Sequence, residues 1–203
     1  MTAVSSIGTA PRPRSHTGSR RRVRIVLAGF TACGLAALAW ASFVQPLPRL
    51  VYNPSDSVAV GWYRVDPLHH RPGSLQRPLP PSLRVDSIVL TTLPPEAAAL
   101  AAQRGYLPAR VPLLKRVGAI APQHVCVFDA LVWIDGVPVA AVRPADRLGR
   151  PLPSWPQCRQ LRPGELFLLS STNPASFDSR YFGPVRTSEV IGVAHPVWLE
   201  RRP

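Results

Sequence analysis

The sequence predicts a mainly β domain, a folded sheet or barrel, behind one N-terminal transmembrane helix. Three observations predict it. A charge-free apolar run, Ile25 to Val44, follows a cluster of arginines. The prolines, 25 in all, lie mostly beyond residue 45 and disfavour long helices there. Between them, short apolar or alternating segments recur at strand length and end in turn residues. With 203 residues, the chain is long enough for one domain of ordinary size plus an anchor.

Residues 1–24 read as a disordered, basic cytoplasmic tail, with six arginines from Arg12 to Arg24 and many Ser, Thr and Pro. Residues 25–45 read as the anchor, because IVLAGFTACGLAALAWASFV has the length of a bilayer span. Arg20, Arg21, Arg22 and Arg24 flank its start, and little charge follows until Arg49. The excess of positive charge keeps the N-terminus inside and exports residues 46–203. Ala39-Trp40-Ala41 also fits a small-x-small cleavage site, and either reading exports the domain.

In the exported part, strands are expected at Gly61 to Val65, Ser87 to Thr91, Pro112 to Ile120, Val125 to Phe128 and Leu131 to Ile134. Asp135-Gly136 is a tight-turn dipeptide leading into Val137 to Val142. Leu166 to Leu169 and Val190 to Leu199 complete the set. One alanine-rich helix is expected from Pro95 to Gln103, stopped near Gly105. Arg143 to Arg162 reads as a Pro-rich connection.

The net charge of +13 invites a nucleic-acid reading, but the charge sits in the tail or is scattered. No zinc-finger spacing, RNA-recognition signature or glycine-rich phosphate loop is present. No nucleic-acid partner, cofactor or metal is therefore expected. Cys33 lies in the apolar run, leaving Cys126 and Cys158 as a pair suited to a disulfide in an oxidising compartment. Buried free thiols are the alternative.

Of the 24 basic residues, Lys115 is the sole lysine. Arginine cannot serve as a general base, because its pKa stays above about 12. A lone lysine is thus a candidate for chemistry, with chance retention as the other reading. It follows Val111-Pro112-Leu113-Leu114, an apolar strand that would disfavour its ammonium form. A neutral lysine can take the proton of a serine nucleophile. No histidine is well placed for a classical triad, since His69 and His70 lie in a Pro-rich loop and His195 is near the C-terminus.

Three further segments bear on the chemistry. They are Tyr52 to Arg64 with Asn53, Ser55, Ser57 and Gly61, then Leu113 to Gly118 with Lys115, then Ser176 to Pro184. Their order and spacing resemble the Ser/Lys signal peptidases, and most closely the conjugative-transfer peptidases of the TraF type, relatives of bacterial type I signal peptidase. In that family an Asn-x-x-x-Ser-x-Pro-x-Gly stretch carries the nucleophile, and Asn53, Ser57 and Gly61 match it. A Leu-x-Lys-Arg-Val stretch carries the base, and Lys115 matches it. A Ser-x-Asp-Ser-Arg-Tyr-Phe-Gly-Pro stretch supports the lysine, and Ser176, Asp178, Ser179, Arg180 and the four residues after them match it. Ala59 stands where the family has proline. Ser170-Ser171-Thr172-Asn173 replaces the Gly-Asp-Asn-Arg of ordinary signal peptidases.

The resemblance implies a membrane-anchored serine endopeptidase of the bacterial inner (cytoplasmic) membrane, single-pass, with its catalytic domain outside. Ser57 is the implied nucleophile and Lys115 the base. The Ser57 N–H and the Ser55 hydroxyl are implied oxyanion donors, with turn capping the other reading for Ser55. Ser176 is implied to orient Lys115. Asp178 and Arg180, with Ser179 between them, are implied to hold that loop as an ion pair. The implied partners are an exported, pilin-like precursor, the membrane and the conjugative transfer machinery. A housekeeping signal peptidase, a non-catalytic membrane assembly factor and a nucleic-acid-binding membrane protein are the rival readings.

Overall fold

The computed structural model describes residues 17–43, 49–68, 81–170 and 172–200. The chain divides into two units, Met1–Pro46 and Leu47–Pro203. The expected Pro-rich loop with His69 and His70 lies outside the described residues.

The first unit contains α1, Thr17–Phe43. Arg22–Trp40 within it is long and apolar enough to cross a membrane, with a mean hydropathy of 1.8, and none of it is buried against protein. The helix begins at Thr17, not at Ile25, so residues 17–24 of the expected disordered tail are helical. Arginine is a good helix former, and each residue added to an existing helix gains a backbone hydrogen bond.

The second unit is mainly β. Its elements are β1 Leu50–Asn53, β2 Gly61–Pro67, β3 Ile88–Thr91, α2 Pro95–Gln103, β4 Leu113–Ile120, β5 His124–Phe128, β6 Leu131–Ile134 and β7 Val137–Ala141. Then follow β8 Cys158–Gln160, β9 Glu165–Leu169, α3 Ser179–Phe182, β10 Val185–Arg186, a 3-10 turn Thr187–Glu189 and β11 Val190–Leu199. A 7-stranded sheet has the order β1-β2-β11-β3-β4-β9-β10, and a 4-stranded sheet the order β7-β6-β5-β8. All strand pairs are antiparallel. The large sheet is open, with β1 and β10 as its edges.

The helix at Pro95–Gln103 and the eight expected strands form, with ends shifted by at most two residues. At the predicted hairpin, Asp135 and Gly136 both take positive φ (49° and 80°), which matches the right-handed twist of β6 and β7. Five elements were not expected: β1, β8, α3, β10 and the 3-10 turn. Each is at most four residues long. β8 and β10, at three and two residues, are too short to display a period. β8 also interrupts the stretch Arg143 to Arg162 that reads as a mere connection.

The apolar interior forms three clusters, and strand β9 separates two of them. On β9, Leu166 and Leu168 face one cluster while Phe167 and Leu169 face the other, the ordinary alternation of a strand buried on both sides. On β4, Val117 joins the first cluster and Ala119 the second, although residues two apart should share a face. A bulge between Val117 and Ala119 makes the switch. Gly118 sits in that bulge, where a Cβ would lie 2.8 Å from Leu169 Cδ1. The bulge therefore leaves Lys115 on the face of Val117 and turns Ala119 towards the small sheet.

Cys126 and Cys158 oppose each other across β5 and β8 and form a disulfide. It ties the Pro-rich stretch before β8 to the sheet, closing a loop of sequence separation 32. Replacing both cysteines by serine is expected to cost about 3–4 kcal/mol of stability on the chain-entropy account. Thermal unfolding of the detergent-solubilised protein, followed by near-UV circular dichroism, should show the melt move several degrees down.

Candidate active site

Ser57 sits in the loop between β1 and β2, and buried Asn53 holds that loop. The Asn53 amide nitrogen donates to the carbonyls of Ser55 (2.8 Å), Val58 (3.1 Å) and Ala59 (3.1 Å). Its oxygen accepts from the Ser55 N–H (3.2 Å) and the Ser55 hydroxyl (2.8 Å). The Tyr63 hydroxyl donates to Ala59 O at 2.7 Å, fixing the position where the family has proline. Gly61 closes the loop with φ 145°, where a Cβ would meet Trp198 O at 2.1 Å, so no other residue fits the motif's last position. Ser55 Oγ lies 3.0 Å from Ser57 Oγ. Because the Ser55 proton is committed to Asn53, Ser57 is the donor in that contact.

Lys115 lies on β4 opposite Val89, on the face it shares with Val117. Both valines are fully buried, and Lys115 itself is 3% exposed. Its Nζ donates to the hydroxyl of buried Ser176 in a short hydrogen bond. Burial pushes its pKa from 10.5 down to about 8, with Asp178 pulling it up and Arg180 pushing it further down.

The third segment is organised by a buried ion pair. Arg180 Nε and Nη2 donate to the two oxygens of Asp178 at 2.7 and 2.9 Å. The remaining guanidinium protons go to the carbonyls of Ala141, Pro174 and Ser176. Asp178 is also the N-cap of α3 and accepts the Ser170 N–H at 2.9 Å. The Ser179 hydroxyl accepts from Leu168 N at 2.9 Å, docking α3 on β9 beyond the reach of the two-residue β10.

Ser170 then joins this segment to the first, its hydroxyl donating to Ser57 O at 2.8 Å. Thr172 makes a second, short bond to Asp56 O. Ser55, Ser57, Lys115 and Ser176 all line one cleft of about 1000 Å³. The structure thus places the predicted nucleophile, base and lysine partner on a common cavity wall, with Asp178, Ser179 and Arg180 buried behind it. Cys126 and Cys158 lie away from it, in the small sheet.

Residues 22–199 match the family described as signal peptidase, peptidase S26. The chain belongs to this family. Among relatives of this signal peptidase-family chain, a plasmid transfer protein TraF of Escherichia coli is 31% identical over 186 residues, covering 87% of this chain and 97% of that protein. A probable conjugal transfer protein TraF of Sinorhizobium fredii (strain NBRC 101917 / NGR234) is 31% identical over 192 residues, covering 89% and 93%. A further TraF of Escherichia coli is 41% identical over 88 residues, and there the chain spans 42% of itself and half the length of the relative. A signal peptidase I of Enterococcus faecalis V583 superposes at 21% identity and a TM-score of 0.32, over 59% of this chain and 98% of that chain.

Three contributors within this signal peptidase-family site were not singled out from sequence for the roles they take. The sequence shows Asn53 only as a motif position, although an Asn before Pro-Ser-Asp is a turn-forming signal. Ser170 and Thr172 carry no local signal, since their partners lie more than a hundred residues away. Replacing Asp178 by asparagine leaves Arg180 buried without its counter-charge. The loss is expected to be about 3–5 kcal/mol of stability, measurable by urea unfolding.

Proposed function

We propose that this chain is a serine endopeptidase, anchored by α1 in the bacterial inner membrane, that cuts exported precursor proteins. The observation that carries the reading is Lys115: a sole lysine, buried, held by a hydroxyl and lowered to about 8, in the cleft that contains Ser57. A lysine with that pKa is in part a free amine near neutral pH and can accept a proton.

In the proposed mechanism, the Ser57 hydroxyl turns from Ser55 to Lys115 as substrate enters. Ser57 Oγ attacks the scissile carbonyl carbon, and Nζ takes its proton. The tetrahedral oxyanion is met by the Ser57 N–H and by the Ser55 hydroxyl, which leaves Asn53 to do so. Collapse breaks the C–N bond, and the lysine returns the proton to the leaving amine. Water, deprotonated by the same amine, hydrolyses the acyl-enzyme. Ser176 keeps Nζ in place throughout.

The relatives named TraF support a substrate in conjugative transfer, and we take a pilin-like precursor as that substrate. The arginines before the apolar span support an inward N-terminus and an exported catalytic domain.

Processing of the precursor in cells, at matched protein levels, tests the reading. Ser57→Ala and Lys115→Arg should each leave it uncut, a loss of at least about 1000-fold in turnover for a missing nucleophile or base. Normal processing by Lys115→Arg would sink the general-base role and favour a non-catalytic assembly factor. In vitro, kcat/KM should climb with pH through about 8, because the neutral amine is the active form of Lys115. A flat profile between pH 6 and about 9 would contradict it.

A further inference from the structure

The cleft reaches beyond the Ser57 and Lys115 wall to a second wall, formed by the end of α2 and the loop before β8. Arg104, Tyr106, Asp146, Arg147 and Arg150 line it. This wall is built rigidly. Asp146 Oδ1 accepts the N–H groups of Leu148 and Arg150, each at 2.9 Å. Its Oδ2 accepts Arg150 Nε at 2.7 Å and the Tyr106 hydroxyl in a short bond. Although burial opposes it, these bonds hold the Asp146 carboxyl well below the usual carboxylate range. Arg150 also donates to Arg104 O at 3.3 Å, at the end of α2, and its guanidinium lies 5.5 Å over the Tyr106 ring.

The charges on this wall do not balance. Three guanidiniums face one carboxylate, and that carboxylate is already bonded by Leu148, Arg150 and Tyr106. Arg104 approaches it only at 3.9 Å. Arg147 is exposed and, among the described residues, has no ion-pair or hydrogen-bond partner. Apart from Asp56, Asn53 and Asn173 beside Ser57, the rest of the cleft is lined largely by apolar groups such as Leu93, Leu107, Val111 and Leu152. An anion entering there loses water on its apolar side and meets the guanidiniums of Arg104 and Arg147 on the other.

We propose that this wall is a specificity subsite for a carboxylate of the bound polypeptide, with Arg147 as its main contact and Arg104 beside it. The inference rests on reading the cleft as the precursor's groove. An acidic side chain and a free C-terminal carboxylate share this chemistry, and the test separates them.

The test uses the full-length protein in detergent and quenched-fluorescence peptides spanning the precursor's cut site. One series carries Glu→Gln exchanges position by position, and a second carries free or amidated C-termini. One position, or the C-terminus, should lose about five-fold in kcat/KM on neutralisation, mostly through KM, as for a partly screened charge pair. The preference should vanish at about 0.5 M salt. In Arg147→Glu the ratio of acidic to neutral peptide should fall below one and a Lys-bearing peptide should be preferred, while Arg147→Gln should bring the ratio to about one. These ratios are internal to each variant, so partial misfolding does not alter them. An unchanged ratio in both variants, or equal cleavage of charged and neutral peptides by the wild type, overturns the subsite alone. Failure of the wild type to cut any peptide overturns the endopeptidase reading, and the subsite with it.

Discussion

Two buried cations, Lys115 and Arg180, lie within the influence of one buried carboxylate, Asp178, and their competition sets the character of the site. Arg180 wins it on geometry. Its planar fork meets both carboxylate oxygens, and its other protons find three backbone carbonyls. Guanidinium cannot shed its proton at any ordinary pH, so its burial is tolerable only with that full set of partners. Lysine has an alternative: it can become neutral. With Asp178 committed elsewhere, Lys115 is left a hydroxyl partner and an apolar wall, which is the environment that favours the amine.

The same carboxylate organises the neighbouring backbone. Asp178 caps α3, accepts Ser170 N and, through the Ser170 hydroxyl, is linked to the carbonyl of Ser57. Asn53 holds the other side of the Ser57 loop by spreading one amide over three carbonyls. The Ser57 loop is therefore closed at its ends by the Asn53–Gly61 strand pair and held between them by polar side chains. Its backbone is kept in one shape, while hydroxyl groups remain able to rotate. Such an arrangement suits the nucleophile role proposed for Ser57, in which its proton changes partners.

Much of this was legible in the chain. The eight expected strands and the helix at Pro95–Gln103 rested on periodicity and turn chemistry, and local packing kept them. Asp135-Gly136 was legible because only positive φ satisfies that hairpin. The extra turns of α1 before Ile25 escaped because polar residues can extend a helix without an apolar signature. Strands β1, β8 and β10 escaped because pairing, not pattern, makes them strands. The partners of Ser170 and Thr172 escaped for a related reason: a serine or threonine in a loop looks alike whether it binds water or a distant carbonyl.

The sequence by itself determined the apolar span, the strand alphabet, the singular lysine in an apolar strand and the three spaced segments around Ser57, Lys115 and Asp178. These are properties of composition, period and order, which local physics reads directly. Only the tertiary structure decided how far Lys115 is dehydrated, which cation takes Asp178, and where the Ser55 proton points. It alone brought Arg104 and Arg147 to one wall of the cleft. Each of these depends on groups far apart in the chain meeting at a few ångströms, and electrostatic energy at that range follows distance and burial, which no linear pattern records.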